Sequence, residues 1–386
     1  MIVELSLQTV FWISAAMIFY VYAGYPLLVM LVSRVSGKRV RRAVFEPTVS
    51  LIITAYNEEK AIRSKIENSL LLDYPAHKLE LLVASDGSTD ETERIAKEFS
   101  DQNVKLVRQE GRAGKTETQN SAVKMAKGEI IVFSDATSMY RADVLRFIVP
   151  NFADDSVGCV AGKLLYVDQG DSAVGSGAKK YWQYETLIKE SESRAGSLVG
   201  VSGCLYAVRR SAYVPMYPEA CSDFLIATDL MRRGLRTVYE PNAICTEATN
   251  QKLSNEMRMR VRIIAQTIAD LYRNREMLNP LRSGFYGIQL ISHKLLRYAV
   301  PLFLIVTFLA STFLAVGSMF FTVILGAQIL FYLAAFVAWF LEMYGKRSKL
   351  LSIPLYFVLA NIASLTGFYK FAIGERYARW EPVRET

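Results

Sequence analysis

Leu79-Glu80-Leu81-Leu82-Val83-Ala84-Ser85-Asp86-Gly87-Ser88-Thr89-Asp90 carries the reading of the fold. An apolar run, 79–84, gives way to a turn built from two carboxylates, a glycine and two hydroxyls, and then to a helical pattern over 89–99. Strand, turn and helix in that order make the unit of an α/β layer protein, where ligands are held at the carboxyl ends of strands. Ser, Thr and Asp also favour turns and helix N-caps. By itself, Asp86-Gly87-Ser88-Thr89-Asp90 therefore leaves two readings open, an ordinary capped turn and a site for a polar ligand.

The pattern repeats on both sides. Strands are predicted at 49–55, 79–84, 104–108 and 129–134, and helices at 58–72, 89–99 and 116–126. Such alternation implies a largely parallel sheet covered on both faces. Further on it loosens: an exposed helix is predicted at 179–194, a strand at 202–208, a helix at 223–233 that ends at Gly234, and a long helix at 253–277. No internal repeat stands out.

The ends of the chain differ from its middle. Of 386 residues, 52% are hydrophobic and the mean hydropathy is +0.19, too apolar for a wholly soluble protein and too charged for a wholly membranous one. Residues 10–32 carry no charge and, with no small-residue cleavage site behind them, read as a retained anchor. Residues 299–341 are also uncharged and long enough for two spans, and 353–373 is a third candidate, interrupted by Pro354, Asn361 and Lys370. Between them, 284–297 is apolar with Lys294 and Arg297 near its end, the pattern of an interfacial amphipathic helix.

The net charge of +8 gathers beside these segments, at Arg34, Lys38, Arg39, Arg41 and Arg42 and again at Lys346, Arg347 and Lys349. The positive-inside rule puts both loops in the cytoplasm and the amino terminus outside. The charge is thus a membrane-side feature, and nucleic acid is not the expected partner. If 353–373 crossed fully, Arg376, Arg379 and Arg384 would lie outside, so a re-entrant or interface-lying segment is favoured, which keeps the tail with Trp380-Glu381-Pro382 inside. Cys159, Cys204, Cys221 and Cys245 have no metal-ligand spacing and read as free thiols; His77 and His293 read as surface or interfacial. The expected layout is 1–42 anchor and basic flank, 43–283 catalytic domain, 284–298 interfacial helix, 299–343 two transmembrane helices, and 344–386 basic loop, third apolar segment and tail.

Four acids recur at the ends of strand-like segments: Glu58, Asp86, Asp135 and Asp223. Buried carboxylates without partners are costly, so four of them in one α/β domain imply a shared crevice. Gly111-Arg112-Ala113-Gly114-Lys115-Thr116 resembles a phosphate loop, but the first glycine of that motif would fall at Gln109, which speaks against an NTPase. Its remaining reading is that Lys115 and nearby backbone amides approach a diphosphate.

Thr54-Ala55-Tyr56-Asn57-Glu58, Asp86-Gly87-Ser88-Thr89-Asp90, Gly114-Lys115 and Ser134-Asp135-Ala136-Thr137, in this order, resemble the inverting, membrane-bound family 2 glycosyltransferases: hyaluronan, cellulose and chitin-type synthases and bacterial exopolysaccharide transferases. The resemblance covers most of 46–275. It implies a nucleotide-diphospho-sugar transferase (GT-A-like) domain, with a mostly parallel central sheet flanked by transmembrane helices. It implies that Ala55, Glu58 and Asp86 line a uridine pocket, that Lys115 lies near the nucleotide, and that Asp135 is the first acid of a metal-binding Asp-x-Asp motif. The third position of that motif is Thr137 here, a weaker ligand for Mg2+ or Mn2+. Ser202-Gly203-Cys204 resembles the segment facing the acceptor, so Gly203 and Cys204 are expected there. Cys221-Ser222-Asp223 aligns with the Thr-Glu-Asp triplet whose last acid is the general base. Met259-Arg260-Val261-Arg262-Ile263 stands where processive members carry Gln-x-x-Arg-Trp; Arg262 is kept and is expected at the diphosphate, with Arg258 and Arg260 outward.

The expected function is transfer of a sugar from a UDP-sugar to a saccharide or lipid-linked acceptor in polysaccharide biosynthesis. The expected setting is the inner membrane with a cytoplasmic catalytic domain, alongside polysaccharide assembly or export proteins. Two alternatives stand beside it, a processive synthase and a non-catalytic membrane scaffold that binds a nucleotide or saccharide.

Overall fold

The computed structural model describes residues 2–35, 37–167, 173–249, 252–344, 346, 348 and 350–379, without the side chains at 173–176 and 178–180. Arg347, Lys349, Trp380-Glu381-Pro382 and Arg384 lie outside the described residues. Eight described strands form one sheet: β1 (Val49–Ala55), β2 (Leu79–Ser85), β3 (Val104–Arg108), β4 (Ile130–Asp135), β5 (Met139–Tyr140), β6 (Val157–Val167), β7 (Tyr206–Arg209) and β8 (Arg236–Ala248). Their order is β3-β2-β1-β4-β7-β6-β8-β5. The first four are mutually parallel, β7 runs against both of its neighbours, and β6 and β8 pair parallel. The first half is the doubly wound arrangement expected from the alternation, and every residue of β1 is buried, as befits a strand covered on both faces. The sheet is sandwiched between two apolar clusters, one around Ile53, Val83 and Val132 and one around Ile52, Leu82 and Phe133.

Long β6 and β8 were not expected. They are less apolar than the first strands, and each is interrupted: the register shifts between Gly162 and Lys163, and Pro241 lies inside β8.

Among the described residues, four helices are long and apolar enough to cross a membrane: Ile2–Val35, Phe285–Leu314, Met319–Met343 and Ser352–Ala372. Residues 284–298 therefore do not form a separate interfacial helix. They begin a continuous helical stretch, passing through a π-helical turn at Ile291–Leu296. Helix Ser352–Ala372 lies along helix Leu253–Arg273, with Leu355 beside Leu253, Ala363 beside Val261, Ile264 and Ile268, and Phe371 against Tyr272. Helix Ala173–Ala195 is not exposed as expected, because it packs against helices Tyr25–Val35 and Ser352–Ala372 and buries Glu185, Ile188, Lys189 and Glu192. His293 likewise is buried, between Glu185 and Glu192. All four cysteines are buried free thiols.

Candidate active site

The strand order sets the site. Between β1 and β4 the direction of strand succession reverses, and crevices open at the carboxyl ends of strands at such a point. Those ends carry Ala55, Asp86 and Asp135, with Thr54 paired to Asp135 and Ala55 to Ser85.

Asp86 is fully buried just past β2. Its Oδ1 accepts from the amides of Ala113 (2.7 Å) and Gly114 (2.9 Å) and from the Thr118 hydroxyl (3.1 Å). Its Oδ2 is buried and has no hydrogen-bond partner among the described residues. The Ala113 and Gly114 amides are thus committed to Asp86, which corrects the expectation that they meet a diphosphate. Gly87 has φ +66°, and a Cβ there would sit 2.6 Å from the Gly111 carbonyl carbon, so only glycine lets the two loops close on each other. The preceding turn is laced to the same loop: Asn57 N donates to Ser88 Oγ (3.0 Å), Glu58 N to Thr92 Oγ1 (2.7 Å), and Thr89 N to Asn57 Oδ1 (2.6 Å). Ala55 contributes its carbonyl to the Asp86 amide at 2.9 Å, while its methyl packs into the core.

Beside this loop cluster a cavity of about 350 Å³ brings together Lys115, Asp135, Gly203, Cys204, Asp223 and Arg262. Ala55, Glu58 and Asp86 stand outside it. Lys115 opens helix Lys115–Met125 directly after Gly114, and its Nζ pairs with Asp135 Oδ1. A Cβ on Gly203 would lie 3.0 Å from Lys115 Nζ, 3.3 Å from Asp223 Oδ2 and 3.6 Å from Asp135 Oδ2. One ammonium and two carboxylates therefore meet over the bare backbone of Gly203. Burial works against the Lys115 charge, but Asp135 and Asp223 outweigh it and hold its pKa above the ordinary lysine value. Cys204 turns its thiol toward Cys245, and its carbonyl accepts from the Tyr140 hydroxyl at 2.8 Å.

Asp223 sits in the first turn of helix Ser222–Arg232. Its Oδ1 accepts from the Cys221 thiol (2.9 Å) and its carbonyl from Val201 N (2.8 Å). This is more than a capping arrangement, because Oδ2 points to the Gly203 side of the cavity. The turn is anchored from helix Leu253–Arg273 by Asp270, whose carboxylate takes the Cys221 amide (2.9 Å) and the Tyr217 hydroxyl. Arg262, from the same helix, has Cys221, Asp223 and Asp135 as its electrostatic neighbours. Arg260 does not point outward as expected: it pairs with Glu256 at 2.8 Å and lies between the Tyr181 and Tyr356 rings. Arg258 bonds Asn255 at 3.3 Å.

Thr137 Oγ1 donates to Glu247 Oε1 at 3.1 Å. Glu247 was not singled out in the sequence. Pairing of β5 with β8, Met139 with Thr246, brings it to Asp135. Burial first, and the Asp135 charge next, push its pKa up to about 7. A second carboxylate thus stands where the motif has lost its own. Lys65, also missed, is fully buried; its Nζ donates to the Ser138 carbonyl at 2.6 Å and fixes the turn behind Asp135. Burial draws its pKa down to about 7.

Residues 50–214 match the profile of Glycosyl transferase family 2, so the chain carries a domain of that family. Among curated proteins, the chain is similar to poly-beta-1,6-N-acetyl-D-glucosamine synthase of Staphylococcus aureus strain COL, 27% identical over 221 residues, 55% of this chain and 53% of the relative. It is also similar to the synthase of that name from Staphylococcus epidermidis, 23% identical over 261 residues, 66% and 61% of the two chains. The chain thus spans about half the length of the first of these relatives. Among solved structures, the mannosyltransferase PcManGT from Pyrobaculum calidifontis, in complex with GDP-Man and Mn2+, superposes with a TM-score of 0.72 at 23% identity, over 94% of this chain and 99% of that one. That likeness extends the shared fold through the membrane helices.

Proposed function

We propose, from the glycosyl transferase family 2 domain the chain carries, that it is a membrane-bound inverting glycosyltransferase, which passes a sugar from a UDP-sugar to an acceptor in polysaccharide biosynthesis. The supporting observation is the meeting of Lys115, Asp135 and Asp223 over Gly203. The acceptor hydroxyl attacks the anomeric carbon, its proton passes to Asp223, and the bond from that carbon to the diphosphate oxygen breaks. Asp223 has no Lys, Arg or His within ion-pair distance among the described residues, and its Oδ2 faces Gly203, as general-base work requires of a carboxylate within reach of the hydroxyl. Lys115 and Arg262 supply fixed positive charge where the departing diphosphate develops its own. The glycine gives the acceptor close approach.

Asp86 suits the uracil end. Its unpartnered Oδ2 is a buried acceptor awaiting a donor, and a base N–H meets that need.

A divalent cation fits this chemistry. Asp135 and Glu247 offer carboxylate oxygens and Thr137 a hydroxyl, the hard donors that Mg2+ and Mn2+ take, and their mutual repulsion is relieved by a cation. When bound, such an ion neutralises diphosphate charge. Among the described residues no cluster of three or more His, Cys, Asp or Glu is present, so the nucleotide would complete the coordination.

Basic flanks support a cytoplasmic catalytic domain, and helix Ser352–Ala372, running beside helix Leu253–Arg273, supports an interface-lying segment. Single addition is favoured over processive synthesis, since Met259 and Ile263 replace the Gln and Trp of processive members. The test is a screen of UDP-sugars for UDP release by the purified full-length protein. Turnover of one donor is expected; silence with every donor and with a polysaccharide acceptor present would leave the scaffold reading.

A further inference from the structure

The cavity that holds Asp223 continues away from Lys115 and Asp135 toward the membrane helices, where Tyr22, Lys189, Lys294, Tyr298 and Asn361 line it. Two of the membrane helices carry π-helical turns at this level, Tyr20–Gly24 and Ile291–Leu296, joined by a 2.8 Å hydrogen bond between Tyr20 OH and Ser292 Oγ. Such turns re-aim side chains and recur at functional sites.

The charges here do not cancel. Glu185 is taken by Arg297 and by His293 Nε2 (3.2 Å); Glu192 Oε1 meets His293 Nδ1 (2.7 Å) and the Tyr25 hydroxyl, while its Oε2 is buried with no hydrogen-bond partner among the described residues. Among the described residues, no carboxylate lies within 4.0 Å of Lys189 or Lys294. Lys189 is only 8% exposed; its Nζ donates to Ser202 Oγ at 2.9 Å and lies 4.9 Å from the Trp182 ring centre. Burial pulls its pKa down, and Glu185 restores it only in part. Lys294 Nζ lies 5.8 Å from the Phe224 ring centre. Lys189 is thus a buried ammonium with no carboxylate at ion-pair distance, which is costly, and together Lys189, Lys294 and Arg297 outnumber Glu185 and Glu192 in this part of the cavity, which favours an added anion.

The position of the pair says which anion. Lys189, through Ser202, and Lys294, beside the Phe224 ring, line the same cavity as Asp223, each next to a residue adjacent in sequence to Gly203 or Asp223. The donor diphosphate belongs at the opposite side, with Lys115. The wall formed by Tyr22, Tyr298 and Asn361 comes from helices long and apolar enough to enter a bilayer.

We propose that Lys189 and Lys294 bind the phosphate of a lipid-linked acceptor, an amphipathic molecule whose phosphate stops at membrane level while its reacting group reaches Asp223. The role given to Asp223 rests on the transferase reading; the phosphate site does not.

The test is binding of farnesyl phosphate, farnesol and inorganic phosphate to the full-length protein in uncharged detergent, read by tryptophan fluorescence, since Trp182 lines the cavity. Farnesyl phosphate should bind saturably, and the other two at least tenfold more weakly. Lys189→Gln and Lys294→Gln should each weaken farnesyl phosphate binding tenfold or more, while Lys189→Arg stays within threefold of wild type. Equal affinity of wild type and a folded Lys189→Gln/Lys294→Gln variant overturns the proposal, as does a wild-type protein that ignores farnesyl phosphate. Farnesol as tight as its phosphate would mean an apolar groove; inorganic phosphate as tight would mean a free-anion site. Either result removes the lipid acceptor. Should the Gln variants not fold, the Arg variant and the three-ligand comparison on wild type still decide. Failure of UDP binding alone would sink the transferase reading and leave farnesyl phosphate binding untouched.

Discussion

Asp223→Asn should lose sugar transfer by about 10³-fold or more while binding UDP as wild type does, the effect expected when a general base is removed. The substitution is nearly isosteric. It keeps an oxygen for the Cys221 thiol and leaves untouched the backbone bond from Val201 and the Asp270 anchor, so the helix start should persist. What disappears is the proton acceptor on the Gly203 side. Transfer rates and UDP isotherms on the same preparation check it. A folded variant that loses UDP binding would move Asp223 from base to donor site, and one that keeps full transfer would end its catalytic role.

Asp135→Ala has the second largest expected effect. It removes the carboxylate that holds Lys115 and, in the proposed function, the principal oxygen for the divalent ion. Metal-dependent UDP binding should weaken tenfold or more and transfer by about 10²-fold, the scale on which fixed charge in a transfer site acts. Glu247→Gln should give a smaller loss in the same direction. It removes the charge but keeps an oxygen toward Thr137. An unchanged metal titration in Asp135→Ala excludes Asp135 from the metal site. An unchanged one in Glu247→Gln leaves Thr137 without a carboxylate to support it.

The parallel half of the sheet was legible because β1, β2 and β4 are short apolar runs closed by turn residues. In β6 and β8 the alternation is broken by Gly158, Gly162, Lys163 and Pro241, and partner strands rather than local pattern hold them extended. The site divides the same way. Asp86, Lys115, Asp135 and Asp223 lie at strand or helix ends in a readable order. Glu247 stands 110 residues from Thr137, and only the β5–β8 pairing brings them together. The missing second acid at Thr137 was a signal that some acid must compensate, but nothing local picks one out of 37 Asp and Glu residues. Lys189 and His293 were misjudged for a related reason: a charged helix reads as solvated until the membrane helices that cover it are in place.

Asp86 is the most direct point of attack on the account as a whole. Asp86→Asn can keep an oxygen toward Ala113, Gly114 and Thr118, but it puts an amide donor in place of the unpartnered Oδ2 acceptor. The measurement is a UDP titration with Mn2+ of wild type and Asp86→Asn, with melting curves alongside. Saturable binding to wild type, and binding at least tenfold weaker to an equally stable variant, is the predicted result. Equal affinity in both, or no UDP binding to either, would contradict a sugar-nucleotide cleft at this end of the sheet.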